Sequence, residues 1–325
     1  MPPTLTILGS LNIDLVSRVP HHPLPGETLT ATTFSLSPGG KGANQAVACA
    51  KLSRPSTSPS PSPSNPSATA TVRMLGTVGS DSYGALLTSN LTAHGVDVSG
   101  VAVREGLKTG VAIIIVDEPT GENRIILSPE ANHALQAGDV AGVLDLAGET
   151  DLLIMQLEIP VETVLAALRV ARERGTPVLL NPAPAQTLPA GALKGIAHLV
   201  VNETEAAMLG GVEVSVLDEV AGLEAVARGF VEGEGVGNVI ITLGGRGVYY
   251  MEGGEGGKRG LVPAEKAKVV DTTAAGDTFV GAYALEVVGG RFDIEEAVRK
   301  ANRAAAKTVE RRGAQDSIPW RDELV

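Results

Sequence analysis

The 325-residue sequence has few aromatic residues and a single cysteine. Phe, Trp and Tyr together make up 3% of the chain, so Val, Leu, Ile and Ala must build any buried core. The hydrophobic fraction of 43% excludes a globally disordered chain. Because Cys49 has no second cysteine to pair with, an intramolecular disulfide is excluded, and its small apolar neighbours predict a buried side chain.

Long apolar runs are also missing. The longest, Val111–Val116, has the length of a strand, and Met1–Ser10 carries no basic segment ahead of its apolar residues. The 37 acidic and 26 basic residues give a formal net charge of −11, which disfavours nucleic acid and anionic membranes as partners. We therefore expect a cytoplasmic protein with no nucleic-acid or membrane partner, and a nuclear location is left open.

Several nucleotide-binding and hydrolase motifs are absent. A P-loop is excluded because Ser35 stands in place of its first glycine and Gly42 follows Lys41 where Ser or Thr is required. The sequence has no G-x-G-x-x-G, which disfavours a nicotinamide-dependent oxidoreductase. It also has no G-x-S-x-G and no H-E-x-x-H, and its five histidines are scattered without metal-ligand spacing.

Short β-rich runs alternate with helical patterns along most of the chain. The β-rich runs are Leu5–Gly9, Val72–Leu75, Leu152–Gln156, Pro177–Leu180, His198–Val201 and Val239–Leu243. The helical patterns are Ala43–Leu52, Tyr83–Ala93, Val161–Arg174, Glu203–Leu209, Val216–Val231, Gly276–Val288 and Ile294–Glu310. This alternation predicts a single α/β domain over residues 1–325, with a mostly parallel sheet covered by helices on both faces.

Three segments interrupt the alternation. Ile13–Leu36 and Val96–Leu127 combine polar/apolar alternation with glycine turns, which predicts a small antiparallel sheet standing off the main one. Because ligands of open α/β sheets bind at the carboxyl ends of the strands, such a sheet would serve as a lid. Pro55–Ser67 is rich in Pro and Ser and predicts an exposed, flexible insertion. Since Ser58, Ser60 and Ser62 each precede a proline, the alternative is a phosphorylated regulatory loop.

Two polar clusters lie in the first 45 residues. Asn12 and Asp14 follow the first β-run and alternate with Ile13, so their side chains share one side and could bind hydroxyl groups. The alternative is ordinary turn chemistry. Gly39–Gln45 opens a helix with three glycines, which let a ligand approach the backbone, while Lys41 and Asn44 could donate to it. A glycine turn with an N-terminal cap is the alternative.

Two further clusters open later helices. Asn202 and Glu205 have the spacing of a capping box, and the alternative is an oxygen-rich site for hydrated Mg²⁺. Asp271–Phe279 places a small-residue turn ahead of a helix whose free N–H groups would bind an anion. Asp277 could act there as a general base or serve only as a dipole-favoured N-terminal acid. With the glycine loop 242–247, these clusters indicate phosphoryl transfer to a small polyol.

Eight motifs carry a resemblance to a known family. They are GSLNID (9–14), GGKGANQAVA (39–48), MQLE (155–158), LNPAPA (180–185), NETEA (202–206), ITLGGRGV (241–248), VDTTAAGDTFVGA (270–282) and RRGAQDSIPW (311–320). The chain resembles the ribokinase/PfkB carbohydrate kinase family over nearly its whole length, apart from the Pro/Ser segment. Lys41 within GGKGAN, with MQLE and NPAPA, resembles the members that act on ribose rather than on fructose or adenosine.

The resemblance implies an α/β fold whose β-sheet lid also pairs two subunits, and ATP-dependent phosphorylation of the 5-hydroxyl of D-ribose. Asp277 would be the general base, and the backbone of Ala274, Ala275 and Gly276 the anion hole. By the same resemblance, ribose would be held by Asn12, Asp14, Gly40, Lys41, Asn44 and Glu158. ATP would contact Asn202, Thr242, Gly244, Gly245, Arg246, Gly247, Gly276 and Asn302.

The resemblance also implies two cations. Glu205 would lie near Mg²⁺, and a monovalent cation, K⁺, would fix the anion-hole turn through Asp271, Thr273, Thr308, Arg311, Gly313 and Ser317, several of them through carbonyls. The sequence departs from the family at residues 128–132, where Ser-Pro-Glu-Ala-Asn replaces a Gly-Ala-Asn stretch of the lid. It also has Asn302 where bacterial members often have His.

Other functions stay open at this point. A different sugar or nucleoside kinase would use the same motifs, and a substrate panel would separate it from a ribose kinase. A non-catalytic sugar-binding or regulatory protein would keep the scaffold without turning over ATP, although the intact Asp277 and glycine loops argue against it.

Overall fold

The structure is a computed structural model that describes residues 2–56 and 68–324. The predicted Pro/Ser insertion lies outside the described residues except for its first two positions. Within the described ranges, no helix combines the length and the apolar character needed to cross a bilayer.

In the described part of the chain, nine strands form one large sheet in the order β13-β12-β11-β10-β9-β8-β1-β4-β5. They are β1 (Thr4–Leu8), β4 (Thr71–Gly79), β5 (Asp97–Arg104), β8 (Leu152–Met155), β9 (Val178–Leu180), β10 (His198–Asn202), β11 (Asn238–Thr242), β12 (Val248–Glu252) and β13 (Arg259–Val262). Strands from β5 to β11 are parallel, whereas β12 and β13 are antiparallel at one edge. The mostly parallel sheet is confirmed.

Helices cover both faces of this sheet, as predicted. They are α1 (Lys41–Leu52), α2 (Ser82–Ala93), α3 (Val140–Ala147), α4 (Val161–Arg174), α5 (Glu203–Gly210), α6 (Val220–Arg228), α7 (Ala275–Val288) and α8 (Ile294–Thr308). Strand side chains alternate between the faces, so Leu5 and Ile7 pack with α1, α2, α7 and α8, while Leu8 packs with α3 to α6. Each face therefore has its own apolar core.

A small separate sheet stands off the main one, in the order β3-β2-β6-β7. Its strands are β2 (Asn12–Val19), β3 (Thr33–Gly39), β6 (Gly110–Asp117) and β7 (Asn123–Ser128). The expectation of a purely antiparallel sheet is wrong, because β2 and β6 pair in parallel. The predicted lid segment Val96–Leu127 also begins too early, since β5 pairs with β4 at the edge of the main sheet. An edge strand is exposed on part of its surface, which gives the same alternation as a lid strand.

The predicted helix Val216–Val231 is divided into three pieces. A 3₁₀ turn at Val214–Asp218 precedes α6, and a π-helical turn follows at Gly229–Gly233. The chain is extended at Glu219, and a Cβ on Gly222 would lie 1.8 Å from the Val216 carbonyl oxygen. The 3₁₀ turn packs this closely against the start of α6 because the chain bends at Glu219 between them.

Helices α1 and α7 lie very close together. A Cβ on Gly281 would lie 2.5 Å from the Cβ of Ala48 and 2.9 Å from the backbone nitrogen of Cys49. Glycine is required at this approach. The close packing brings the first turns of both helices together beside the small sheet.

Candidate active site

Asp277 lies in the first turn of α7, and two side chains near the start of α1 donate hydrogen bonds to its carboxylate. Asn44 Nδ2 donates to Asp277 Oδ2 at 2.9 Å, and Gln45 Nε2 donates to Oδ1 at 3.0 Å. Asp277 is 7% exposed. Because each carboxylate oxygen can accept two hydrogen bonds, one position on each oxygen is left for a ligand.

The turn that precedes α7 is shaped by Asp271. One oxygen of this carboxylate accepts from the backbone nitrogen and the hydroxyl of Thr273, at 3.0 and 2.6 Å, and the other accepts from Gly313 N at 3.1 Å. Ala274, the residue before the helix, has a left-handed backbone with φ of 59°. Apart from its chain neighbours and the backbone of its own helix, no atom lies within 4 Å of where a Cβ on Gly276 would be, so a ligand can approach the helix N-terminus closely.

Glu158 contacts two of the six residues that sequence assigns to the sugar, a set called the polar pocket below. Its Oε2 accepts from Ser10 Oγ at 2.6 Å, Lys41 N at 3.1 Å and Asn12 Nδ2 at 3.4 Å. Gly40 has φ of 87°, and a Cβ there would lie 2.7 Å from Asn12 N. These contacts connect the start of β2, the start of α1 and the loop after β8.

Electrostatics distinguish two residues of the polar pocket. Burial, followed by the carboxylates of Glu158 and Asp277, raises the pKa of Asp14 to about 7, although Lys41 opposes the shift. Burial opposes the charge of Lys41, but the surrounding carboxylates raise its pKa above its usual value, with Asp277 and Glu158 contributing most. Lys41 is therefore the protonated donor of the pocket.

A large cavity of about 510 Å³ lies beside the N-terminus of α7, where Ala275 and Gly276 line it. Six of the residues predicted to contact a nucleotide line it: Thr242, Gly244, Gly245, Gly247, Gly276 and Asn302. Asn302 Nδ2 donates to Pro263 O at 2.8 Å, which leaves its Oδ1 available to a ligand. The volume is that of a small-molecule site.

Two of the residues predicted to contact a nucleotide instead bind other parts of the protein. Arg246 Nη1 donates to the carbonyls of Leu217 and Asp218 at 3.1 and 3.0 Å, and its guanidinium also pairs with Glu203. Asn202 caps α5 through its Oδ1, which accepts from Glu205 N at 2.8 Å. Neither residue belongs to the lining of the large cavity.

The capping box predicted as one interpretation of residues 202–205 is present. Asn202 N donates to Glu205 Oε2 at 2.9 Å, which completes the reciprocal pair. Glu205 is 4% exposed, and burial raises the pKa of its carboxyl. Among the described residues, no three His, Cys, Asp or Glu side chains are grouped as metal ligands. A single carboxylate fits hydrated Mg²⁺, which keeps most of its waters.

The structure brings together part of the set assigned to a monovalent cation. Asp271, Thr273 and Gly313 are joined by hydrogen bonds, and their oxygen atoms suit a hard cation. The Arg311 guanidinium binds Glu323 at 2.5 Å, so only its carbonyl would face a cation. The hydroxyls of Thr308 and Ser317 make internal hydrogen bonds, to Thr278 Oγ1 and Ala314 O respectively.

Sequence reasoning missed three amide side chains that organise the site. Gln45 contacts Asp277, and Gln315 Nε2 donates to Asn44 Oδ1 at 3.1 Å. Asn132 Oδ1 accepts from Leu11 N at 2.9 Å, and its Nδ2 donates to Asn12 Oδ1 at 2.7 Å. All three lie within segments already singled out, but their partners are more than 100 residues away in the chain.

Comparisons with known proteins agree with this geometry. The model of the pfkB family carbohydrate kinases matches residues 3–321. A ribokinase from Schizosaccharomyces pombe is 43% identical over 320 residues, which are 97% of this chain and 94% of that protein. A ribokinase structure from Thermotoga maritima has a TM-score of 0.83 and 38% identity, and the match covers 99% of this chain and 98% of that one.

The structure of an Arabidopsis thaliana ribokinase complexed with ribose and ATP has a TM-score of 0.84 and 29% identity, over 100% of this chain and 98% of that one. The predicted ribokinase-like fold, with its large sheet and its small separate sheet, is therefore confirmed. Since the family model and the relatives extend over almost the entire length, the chain belongs to the pfkB family of carbohydrate kinases.

Proposed function

We propose that the protein transfers the γ-phosphoryl group of ATP to the 5-hydroxyl of D-ribose, giving ribose 5-phosphate and ADP. One observation carries the proposal: Asp277, in the first turn of α7, is hydrogen-bonded to Asn44 of the polar pocket, and the adjacent Gly276 lines the large cavity. The similarity to ribokinases, one of them complexed with ribose and ATP, supports the choice of substrates.

Ribose binds in the polar pocket. Its hydroxyls contact short polar side chains and one cation, which is the chemistry that a small polyol requires. The ligands are Asn12, Asp14, Gly40, Lys41, Asn44 and Glu158. Glu158 Oε2 already accepts three hydrogen bonds, so its other oxygen is the one that faces the sugar.

Asp277 is the general base. It accepts the proton of the 5-hydroxyl while the hydroxyl oxygen bonds to the γ-phosphorus and the bond to the ADP oxygen breaks. The backbone of Ala274, Ala275 and Gly276 forms the anion hole that stabilises the negative charge on the transferring group, and the left-handed backbone of Ala274 sets this turn. ATP occupies the large cavity, and Asn302 contacts its adenine ring.

Two cations complete the proposal. Glu205 would hold hydrated Mg²⁺, which would neutralise charge on the phosphates. Asp271, Gly313 and neighbouring residues would hold K⁺ through oxygen atoms, and the cation would stabilise the turn before α7. We further propose a cytoplasmic homodimer that pairs through the small sheet.

The first test is ADP release from MgATP in a coupled assay, with D-ribose, 2-deoxyribose, fructose, adenosine or no sugar. Release that depends on ribose and increases with K⁺ over a large inert cation supports the proposal. Release with another acceptor only would assign a different kinase, and none from folded protein would indicate a binding protein.

Asp277→Asn tests the base directly. The amide retains the size of the side chain but cannot accept the proton, so kcat should fall by about 10²–10⁴-fold, the range for a general base. Wild-type turnover in this variant would contradict the mechanism.

A further inference from the structure

Gln45 makes contacts that no ligand role explains. Its Nε2 donates to Asp277 Oδ1 at 3.0 Å and to Asn181 Oδ1 at 3.1 Å, and its Oε1 accepts from Gln156 Nε2 at 2.6 Å. The side chain is fully buried. Both of its donor hydrogens are used, and its oxygen is also engaged, so the amide has one defined orientation.

The partners of Gln45 are anchored to the main sheet. Asn181 follows β9 and donates through Nδ2 to Val200 O of β10 at 2.9 Å. Gln156 follows β8 and is itself fully buried. The amide of Gln45 therefore connects Asp277 to the carboxyl ends of adjacent central strands.

Asn44, the second donor to Asp277, is held in a similar way. Its Oδ1 accepts from Gln315 Nε2 at 3.1 Å, and Gln315 Oε1 in turn accepts from Asn90 Nδ2 at 2.6 Å. Lys51 Nζ also donates to the Gln315 carbonyl at 3.2 Å. Gln315, in the segment that follows α8, is thus connected to Asp277 through the side chain of Asn44.

We infer that Gln45 is a positioning residue that keeps the Asp277 carboxylate aimed at the acceptor hydroxyl, and that Gln315 supports it through Asn44. The inference rests on the proposed role of Asp277 as base. Hydrogen-bond donors to a carboxylate favour its charged form, and two fixed donors also fix its rotation. The charged groups that face Asp277 are Lys41 from α1, Asp14 from β2 and Glu205 from α5.

The test compares kcat across pH in the wild type and in Gln45→Met, which keeps the length of the side chain and removes its donors. The acid limb of the profile should move to higher pH by about one unit, since loss of a donor favours the protonated carboxyl. Gln45→Glu should move it further, because two carboxylates this close do not ionise together. Gln315→Met should cause a smaller shift.

Cys49→Ala is the matched control, because Cys49 lies one turn along α1 and is as fully buried as Gln45. The Cys49→Ala substitution should leave the acid limb of the pH profile unchanged. If Gln45→Met loses thermal stability while its pH profile stays that of the wild type, Gln45 has a packing role and the inference is overturned.

A second readout does not depend on turnover. In protein with ¹³C-labelled aspartate carboxyls, the Asp277 signal is identified by its disappearance in Asp277→Asn. Its titration midpoint should rise in Gln45→Met and stay unchanged in Cys49→Ala. If the wild type releases no ADP but the midpoint rises, the proposed reaction fails and the positioning of the carboxylate is supported. An unchanged midpoint overturns the inference.

Discussion

At the scale of single residues, Asp14 shows how a buried carboxylate affects stability. Its pKa rises from the usual 3.8 to about 7 in the folded protein, mainly through burial. The folded state therefore binds a proton that the unfolded state has released between about pH 4 and pH 7. Over that range the contribution of Asp14 to stability decreases as pH rises.

We predict that Asp14→Asn stabilises the protein at pH 8 and not at pH 4, while ribose affinity is lost. Removing the buried charge should increase the free energy of unfolding at pH 8 by on the order of 3 kcal/mol. Urea unfolding at both pH values measures the difference. Asp218→Asn, at a side chain that is 71% exposed, is the control and should change neither value by much. Equal stabilisation of Asp14→Asn at pH 4 and pH 8 would contradict the argument.

At the scale of elements, the capping box of α5 and the proposed Mg²⁺ contact can be separated. Glutamine can take the place of glutamate in a capping box, whereas it brings no charge to a cation. Asn202→Ala should cost about 1 kcal/mol of stability through loss of the cap. Glu205→Gln should keep that stability and require a higher Mg²⁺ concentration for half-maximal activity.

Mg²⁺ titrations at saturating ribose, with urea unfolding of the same variants, provide both measurements. A Glu205→Gln variant with the Mg²⁺ requirement of the wild type would leave Glu205 as a cap only.

Elements with strong local patterns were predictable from sequence. The predicted Val161–Arg174 is the helix observed, because the segment has helical apolar spacing and is followed directly by Gly175, a left-handed C-cap. The structure differs where a local pattern has two solutions, as at β5, whose alternation fits an edge strand as well as a lid strand. The contact of Gln45 with Asp277 joins residues 232 positions apart, and no local pattern records it.

At the scale of the whole molecule, the small sheet has an exposed apolar face. Leu36, Leu15, Ile113 and Ile126 pair in one row across its strands, so they share a face, and Asp14 lies on the opposite one. Ile113 and Ile126 are 41% and 60% exposed. An apolar face of this kind is typical of an interaction surface, and it supports the proposed dimer.

We predict that Ile126→Arg converts the proposed dimer to a monomer, because an arginine in the middle of an apolar interface is desolvated without a partner. Sedimentation velocity measures the change. Val220→Arg is the matched control, since Val220 is 51% exposed on α6, away from the small sheet. A wild-type protein that sediments as a monomer, or an Ile126→Arg variant that stays dimeric, would overturn this arrangement.

The close contact of α1 with α7 has a consequence for how the protein folds. Asn44 and Asp277 are 233 positions apart in the chain and meet only when the two helices pack at Gly281. Bringing such distant segments together requires closure of a long loop, and contacts of this kind form slowly. During refolding, kinase activity should therefore return later than the helical circular dichroism signal. The recovery of activity would report the packing of α7 against α1.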